Sequence, residues 1–229
     1  MALAKIRRLL IDLILPRRAV CMGCGSMLGC DRDDLCEDCR AKLAQNWIGP
    51  RPPRRGCRLD GTAFAHAYAG PAGGMVRNLK FNSAWILAGA MGADVARAAQ
   101  LLRIEKLDFV TAVPMHPKRL RERGRNHAEV LARAAAARMG AEYRDLLYRT
   151  RNTPQQARLS GRQRRQNVKD AFDALPECRE AIAGATVLLI DDVYTTGSTT
   201  KNCAMALRRA GARRVYCAAY ALGGGDRRG

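Results

Sequence analysis

No stretch of eighteen apolar residues occurs in the 229-residue chain, so nothing in it reads as a membrane-spanning helix. Acidic residues are scarce. Only 21 Asp and Glu stand against 40 Lys and Arg, a formal net charge of +19. A surplus of that kind suits a polyanionic partner, whether nucleic acid or a polyphosphate ligand. Aromatic residues make up only 5% of the chain, which weighs against a surface built on base stacking. Two phosphate-binding signatures are also missing. No glycine stands immediately before lysine and Ser/Thr, as a Walker A loop requires, and no G-x-G-x-x-G follows a strand pattern.

What is present is unevenly placed. Residues 118 to 169 hold 15 Lys/Arg and 4 Asp/Glu, so +11 of the charge sits in that segment. Drift of surface lysine to arginine in a GC-rich genome explains the preference for arginine, but not the clustering or the shortage of acids. An apolar fraction of 48% fits a globular protein with one sizeable core and an appendage. The opening "MALAKIRRLLIDLILPRRAVC" places basic residues before an apolar stretch. Asp12 interrupts that stretch, no small-residue cleavage site follows, and cysteines begin at once, so a signal peptide is not expected. Ile6, Leu9, Leu10, Leu13 and Ile14 fall on one helical face beside arginines. They predict a short amphipathic helix docked on the protein, with peripheral membrane contact or partner binding as the sharper alternative.

Cys21, Cys24, Cys36 and Cys39 read C-x2-C-x11-C-x2-C. Two residues between cysteines make a tight knuckle that aims both sulfurs at one point, and two knuckles supply the four thiolates that tetrahedral Zn2+ prefers. The predicted zinc site is structural, because four thiolates leave no open position for water. A redox C-x-x-C is the rival reading, but such motifs usually come singly and near a βαβ pattern. So many thiols without a secretion signal point to a reducing, cytoplasmic compartment. Cys30 lies between the knuckles at the wrong spacing and reads as a spare thiol; Cys178, Cys203 and Cys217 read as small buried residues.

Further on, residues 65–81 read as a strand and a glycine turn leading to a helix; strands are also expected at 109–113, 141–150, 185–193 and 213–222, and helices at 83–102, 126–140 and 198–211. Asn126 is the expected cap of the helix at 126–140 and Gly140 its stop. Strands alternating with helices predict an α/β fold with a parallel sheet. The expected organisation is a helix, four-cysteine head and Pro/Arg linker over 1–56, a sheet domain over 57–222 and a frayed tail over 223–229.

The most informative stretch is "LLIDDVYTTGSTT", residues 188 to 200. In an open α/β sheet, ligands sit beyond the carboxyl ends of the strands, which puts Asp191 and Asp192 on the ligand-facing rim. The following loop feeds a helix whose N-terminus carries unpaired N–H groups and positive partial charge, a ready phosphate site. Thr195, Thr196, Ser198 and Thr199 add hydroxyl donors, and Gly197 lets the backbone approach an anion closely. Carboxylates beside a phosphate cradle make sense if they accept from a sugar diol. The pattern asks for a ribose 5-phosphate. The bland alternative is a turn and a helix cap.

"VLLIDDVYTTGST" resembles the phosphoribosyl pyrophosphate (PRPP) motif of type I phosphoribosyltransferases. "VPMHPKRLRERGRNHAEVLA" and "RTRNTPQQARLSGRQRRQNVKDAF", together with "LKF" at 79–81 and the cysteine head, are similar to segments of the ComF family. The likeness covers roughly residues 16 to 221. It implies a type I phosphoribosyltransferase-like parallel sheet flanked by helices, with a small N-terminal four-cysteine zinc-binding domain. By this resemblance Asp191 and Asp192 hold the ribose hydroxyls and carry any catalysis, and Thr195, Thr196, Gly197, Ser198 and Thr199 hold the 5′-phosphate. Lys118 and Arg119 contact pyrophosphate, which travels with Mg2+. Arg123, Gly124 and Asn126 match the family's Arg–Gly–x–Asn, and Arg162, Arg165 and Asn167 match a segment that closes over the site. A solvated basic face is the alternative reading of Arg162 and Arg165. The family's role implies DNA uptake in natural transformation, with single-stranded DNA and a helicase as partners; a transferase of nucleotide metabolism with an unidentified acceptor is the alternative. Two departures stand out. Arg125 and His127 replace an aromatic residue and a glutamine, and only Cys57 remains where many relatives carry a second cysteine pair set, so one zinc site is expected rather than two.

Overall fold

A computed structural model of the protein describes residues 20–28, 34–81, 86–150 and 171–223. In chain order its main elements are α1 (Glu37–Gln45), β1 (Trp47–Arg51), β2 (Gly61–Ala67), α2 (Gly70–Phe81) and α3 (Leu87–Gln100). These are followed by β3 (Phe109–Ala112), α4 (Pro117–Arg123), α5 (His127–Met139), β4 (Leu147–Arg149) and β5 (Phe172–Ala174). The short α6 (Arg179–Ile182), β6 (Thr186–Tyr194), α7 (Ser198–Arg209) and β7 (Arg214–Leu222) complete the described chain.

Strand β6 shows why a sheet forms here. Thr186 to Ile190 are buried without a break, and only a strand covered on both faces can hide such a run. It lies between β7 and β3, in a five-stranded sheet ordered β1-β2-β7-β6-β3. β2, β7, β6 and β3 run parallel, so their carboxyl ends share one edge. In β7, Ala218, Ala219 and Ala221 are wholly buried; small side chains there let the covering layers approach closely. α3 and α5 pack together against one face of the sheet, close enough that a Cβ on Gly92 would overlap the Ala134 methyl. α7 packs against β6 and β7. The expected α/β architecture is present.

α5 starts and stops as its sequence predicts. The Asn126 carboxamide oxygen accepts from the Ala128 N–H at 3.2 Å, and Gly140 ends the helix at φ +64°. Two expectations need correction. The Pro/Arg stretch after residue 48 is not a linker throughout, because Trp47–Arg51 pairs antiparallel with β2, from Trp47 opposite His66 to Arg51 opposite Thr62. Pro50 is tolerated because β1 is an edge strand. Residues 141–150 do not form a further parallel strand. Tyr143 makes a single bridge to Val110, and the chain then leaves the sheet so that β4 pairs antiparallel with β5. Paired acidic and basic side chains at Glu142, Arg144 and Asp145 keep that segment at the surface. The amphipathic helix predicted near the N-terminus and the tail beyond 223 lie outside the described residues. No helix among the described residues is long and apolar enough to cross a membrane.

The four-cysteine head is docked on α2. Asn78 Nδ2 donates to the Met22 carbonyl in the first knuckle at 2.7 Å. Gly74, one turn earlier, lies so close that a Cβ would run into the Gly23 carbonyl. On the other side His66 links the carbonyl of Leu43, near the end of α1, at 3.1 Å to Asp94 of α3 at 2.9 Å. Overpacking a rigid backbone contact costs about 1–3 kcal/mol, so Gly74→Ala is expected to lower the melting temperature clearly. Gly89→Ala, whose Cβ would point into open space within α3, is expected to leave it unchanged or raise it slightly. Thermal denaturation of the two variants side by side makes the comparison.

Candidate functional site

The site grows out of β6. The strand runs beyond Asp192 to Tyr194 before Thr195–Gly197 turn into α7. Gly197 has φ +72°, and a Cβ there would collide with the Tyr194 hydroxyl; both the backbone conformation and the space demand glycine. Thr196 and Ser198 hydroxyls lie 3.0 Å apart, and Thr200 Oγ1 donates to the Gly197 carbonyl at 3.0 Å. The first intrahelical bond of α7 runs from the Lys201 N–H to the Gly197 carbonyl, so the N–H groups before Lys201 have no helix carbonyl one turn back. Asp191, Thr195, Gly197, Ser198 and Thr199 line an open, shallow hollow at this point. Arg54 reaches over from the stretch after β1 and donates to the Thr196 carbonyl at 3.1 Å.

The two acids do not act as a matched pair. Consecutive strand residues point to opposite faces, and Asp191 lines the hollow on the α7 side while Asp192 does not. Desolvation pushes the Asp191 carboxyl up to about 7, the neighbouring Asp192 pushes the same way, and Lys80 and the Asp192 N–H pull partly back. That N–H donates to Asp191 Oδ1 at 2.9 Å. On the other face, Asp192 is held by Lys80 of α2, whose Nζ lies 3.0 Å from Oδ1 and 2.9 Å from Oδ2. His127 at the start of α5 is also buried on this face, and that burial holds its imidazole below the usual range.

The remaining predicted residues fall into three groups. Lys118 and Arg119 sit on α4, directly after β3, and β3 neighbours β6; they therefore belong to the same sheet edge. His116 caps this helix by accepting from the Lys118 N–H at 3.1 Å. Arg123 is exposed, with its guanidinium 5.8 Å from the ring centre of an exposed Phe81. Asn126 is buried and spends its carboxamide on structure, capping α5 and donating to the Val113 carbonyl at 2.9 Å. Arg162, Arg165 and Asn167 lie outside the described residues. Sequence reasoning assigned no role to Lys80, Arg54 or Arg149. Arg149 of β4 lies over Phe172, 5.3 Å from the ring centre, and burial and nearby Arg119 lower its pKa. Lys80 did carry a signal, since it is the lysine of "LKF".

In the head, the sulfurs of Cys21, Cys24, Cys36 and Cys39 all lie within 4.8 Å of one another. Cys24 and Cys36 sulfurs are 3.8 Å apart, which matches the edge of about 3.8 Å that follows from four Zn–S bonds of ~2.3 Å in a tetrahedron. The Cys36 N–H donates to Cys21 Sγ at 3.3 Å. Ser26 lowers the Cys24 thiol to about 6, while burial pushes Cys39 up. The cluster fits a structural zinc ion with a closed shell.

Over 158 residues the chain is 32% identical to the DNA utilization protein YhgH of Escherichia coli O157:H7, covering 66% of this chain and 67% of that protein. The same protein of Salmonella typhimurium gives the same identity and coverage. The chain belongs to the ComF family. Competence protein F of Haemophilus influenzae is 29% identical over 153 residues, 65% of this chain and 66% of the relative. No family model matches, so membership in the ComF family rests on these pairwise likenesses. Among solved structures, the allosteric regulatory enzyme of purine biosynthesis shares 25% identity over 60% of this chain and 25% of its own, at a TM-score of 0.37. Glutamine PRPP amidotransferase from B. subtilis shares 22% over 58% and 26%, at a TM-score of 0.40. Superpositions that loose say nothing about what this chain binds.

Asp191 generates a test. An acid raised from the ordinary 3.8 to about 7 on folding makes the folded chain bind the extra proton between those values. Stability therefore falls as pH rises through that window. Asp191→Asn is expected to flatten the fall, so that between about pH 5 and about pH 8 the wild-type melting temperature drops further than the variant's. Equal pH profiles would contradict the assignment.

Proposed function

We propose that this ComF-family protein binds PRPP, or a closely related ribose 5-phosphate ligand, in the hollow beside Asp191. The observation that carries the reading is the juxtaposition there of an acidic side chain, the hydroxyls of Thr195, Ser198 and Thr199, and the first turn of α7. The helix end supplies N–H donors and positive partial charge for a terminal phosphate. Asp191 and Asp192 accept from the ribose hydroxyls, with Asp191 reached from the hollow and Asp192 oriented from behind by Lys80. Lys118 and Arg119, at the neighbouring strand end, take the pyrophosphate side. Mg2+ bound to the ligand's pyrophosphate would neutralise part of its charge. If transfer occurs, fixed dipoles and charges would stabilise an oxocarbenium-like ribose as pyrophosphate leaves.

The biological setting we infer is DNA uptake, supported by relatives named for DNA utilization and competence. The basic helix α4, with Lys118, Arg119, Arg121 and Arg123 along seven residues, supports contact with single-stranded DNA. The head serves this protein as a structural zinc site.

Calorimetry with PRPP and Mg2+ tests the ligand. Wild type is expected to bind, and the double variant Asp191→Asn/Asp192→Asn to lose at least ~10-fold, a difference of about 1.4 kcal/mol. Equal binding by both would remove the proposal. Fluorescence anisotropy with a labelled single strand across a salt series tests the DNA contact. Affinity is expected to fall log-linearly with salt, by a slope of about −0.7 per phosphate neutralised, and absence of binding at low salt would exclude it.

A further inference from the structure

Lys80 lies near the C-terminal end of α2, two residues beyond Asn78. Two residues along a helix is roughly 200° of rotation, so the two side chains leave α2 on nearly opposite sides. Asn78 binds the Met22 carbonyl of the first knuckle at 2.7 Å. Lys80 binds both oxygens of Asp192, at 3.0 and 2.9 Å. Gly74 and Pro71 on the same helix abut Gly23 of that knuckle, where a Cβ on Gly23 would lie 3.0 Å from the Pro71 Cβ. One helix thus stands between the cysteine cluster and the ligand-facing end of β6.

We propose that Lys80 is a positioning residue of the ligand site, and that the four-cysteine head sets its place through α2. The proposal rests on the phosphoribosyl reading of the hollow. The pair is poorly explained as a stabilising device. Its side chains are only 22% and 13% exposed, and ion pairs so shielded gain little over apolar replacements because desolvation offsets the attraction. What the pair does achieve is geometric. Contact with both oxygens fixes the plane of the Asp192 carboxylate and holds it as an acceptor for a ribose hydroxyl. Lys80 also offsets the charge that Asp192 would otherwise impose on Asp191 across the strand. Lys80 is paired with Asp192 at contact distance.

The groups facing the two acids leave this effect readable. His127 on α5 is held below its usual range chiefly by burial; Asp192 pulls it up, and Arg123 and Lys80 push it down. Cys203 on α7 and Cys217 on β7 are pushed well above theirs by burial, and Arg149 acts on Cys203. The two buried thiols stay neutral between about pH 7 and about pH 8, and because Lys80 also acts on His127, the Asp191 carboxyl is read directly by NMR.

Three variants test the proposal, with zinc content and melting temperature as fold controls. Lys80→Met is expected to weaken PRPP–Mg2+ binding at least ~10-fold and to move the pH midpoint of binding up by about one unit. Lys80→Arg is expected to restore affinity to within about 3-fold and the midpoint to its wild-type place. Asn78→Ala, which leaves Lys80 intact, is expected to weaken binding about 3-fold; unchanged affinity would overturn the part assigned to the head. Lys80→Met that binds like wild type at every pH would overturn the positioning role. Wild type that binds no PRPP would instead overturn the ligand reading. Carboxyl-carbon NMR on unliganded protein separates these outcomes: Lys80→Met is expected to raise the Asp191 midpoint, and an unmoved midpoint overturns the role whether or not ligand binds.

Discussion

The pleat of β6 is the constraint that dictates the site. Two adjacent acids on a paired strand cannot face the same way, and Asp191 and Asp192 are both within the strand, with Asp191 opposite Ala219 and the ladder continuing at Val193. Each acid therefore needs its own environment. Asp191 meets the hollow at the start of α7, and Asp192 meets Lys80 and the buried start of α5. A site for a phosphorylated sugar at this point has to be assembled from both faces of the sheet at once. On the proposed reading, that requirement accounts for a helix far upstream, α2, ending beside a strand formed more than a hundred residues later.

The same requirement accounts for the small residues. α2 can reach Asp192 while resting on the first cysteine knuckle only because Gly74 and Gly23 allow near contact of the two backbones. On the α3–α5 side, Gly92 opposite Ala134 does the equivalent. At the loop, Gly197 clears the Tyr194 hydroxyl. These positions are where close approach replaces side-chain burial, and of them Gly197 lines the hollow itself. A metal in the head would supply apparent binding free energy on the order of 10 kcal/mol to a module with little core of its own, enough to make the knuckle a firm abutment for α2.

Much of the fold was legible because its signals are local. The buried run of β6, the cap at Asn126 and the stop at Gly140 are all read from a few neighbouring residues. The cysteine spacing told which sulfurs would meet, because two residues between cysteines leave the chain one way to turn. What was not legible depends on contacts across long sequence separations. The second half of β1 looked like a linker, since Gly49, Pro50 and Arg51 open the Pro/Arg-rich stretch and the partner β2 begins ten residues later. Residues 141–150 carry strand composition, but their surface ion pairs and the pairing of β4 with β5 take them out of the main sheet. At the site, the acids and the hydroxyl loop were evident in one stretch, whereas Lys80 and Arg54 come from elsewhere; "LKF" marked Lys80 only through the family resemblance, and nothing local marks Arg54 as part of it. The opposite orientation of Asp191 and Asp192 was implicit in calling the stretch a strand, yet only the continuation of the ladder to Tyr194 makes it binding.

The charge distribution resolves an apparent conflict in that site. A protein with a net charge of +19 sets two acids where a polyanion is proposed to dock. The positive charges and the acids act over different ranges. The arginines and lysine of α4 are mostly exposed, and exposed charges steer an anion across roughly a Debye length, about 8–10 Å at physiological salt. Asp192 projects almost no field outward because Lys80 neutralises it at contact. Asp191, raised to about 7, spends part of its time uncharged. An approaching phosphate would therefore meet the cations and the N-terminus of α7 first, and the carboxyls only once its sugar is close enough to hydrogen-bond. Scarcity of acids elsewhere on the chain suits the same proposed arrangement, since many more exposed carboxylates near this edge would weaken the field that steers the proposed anion.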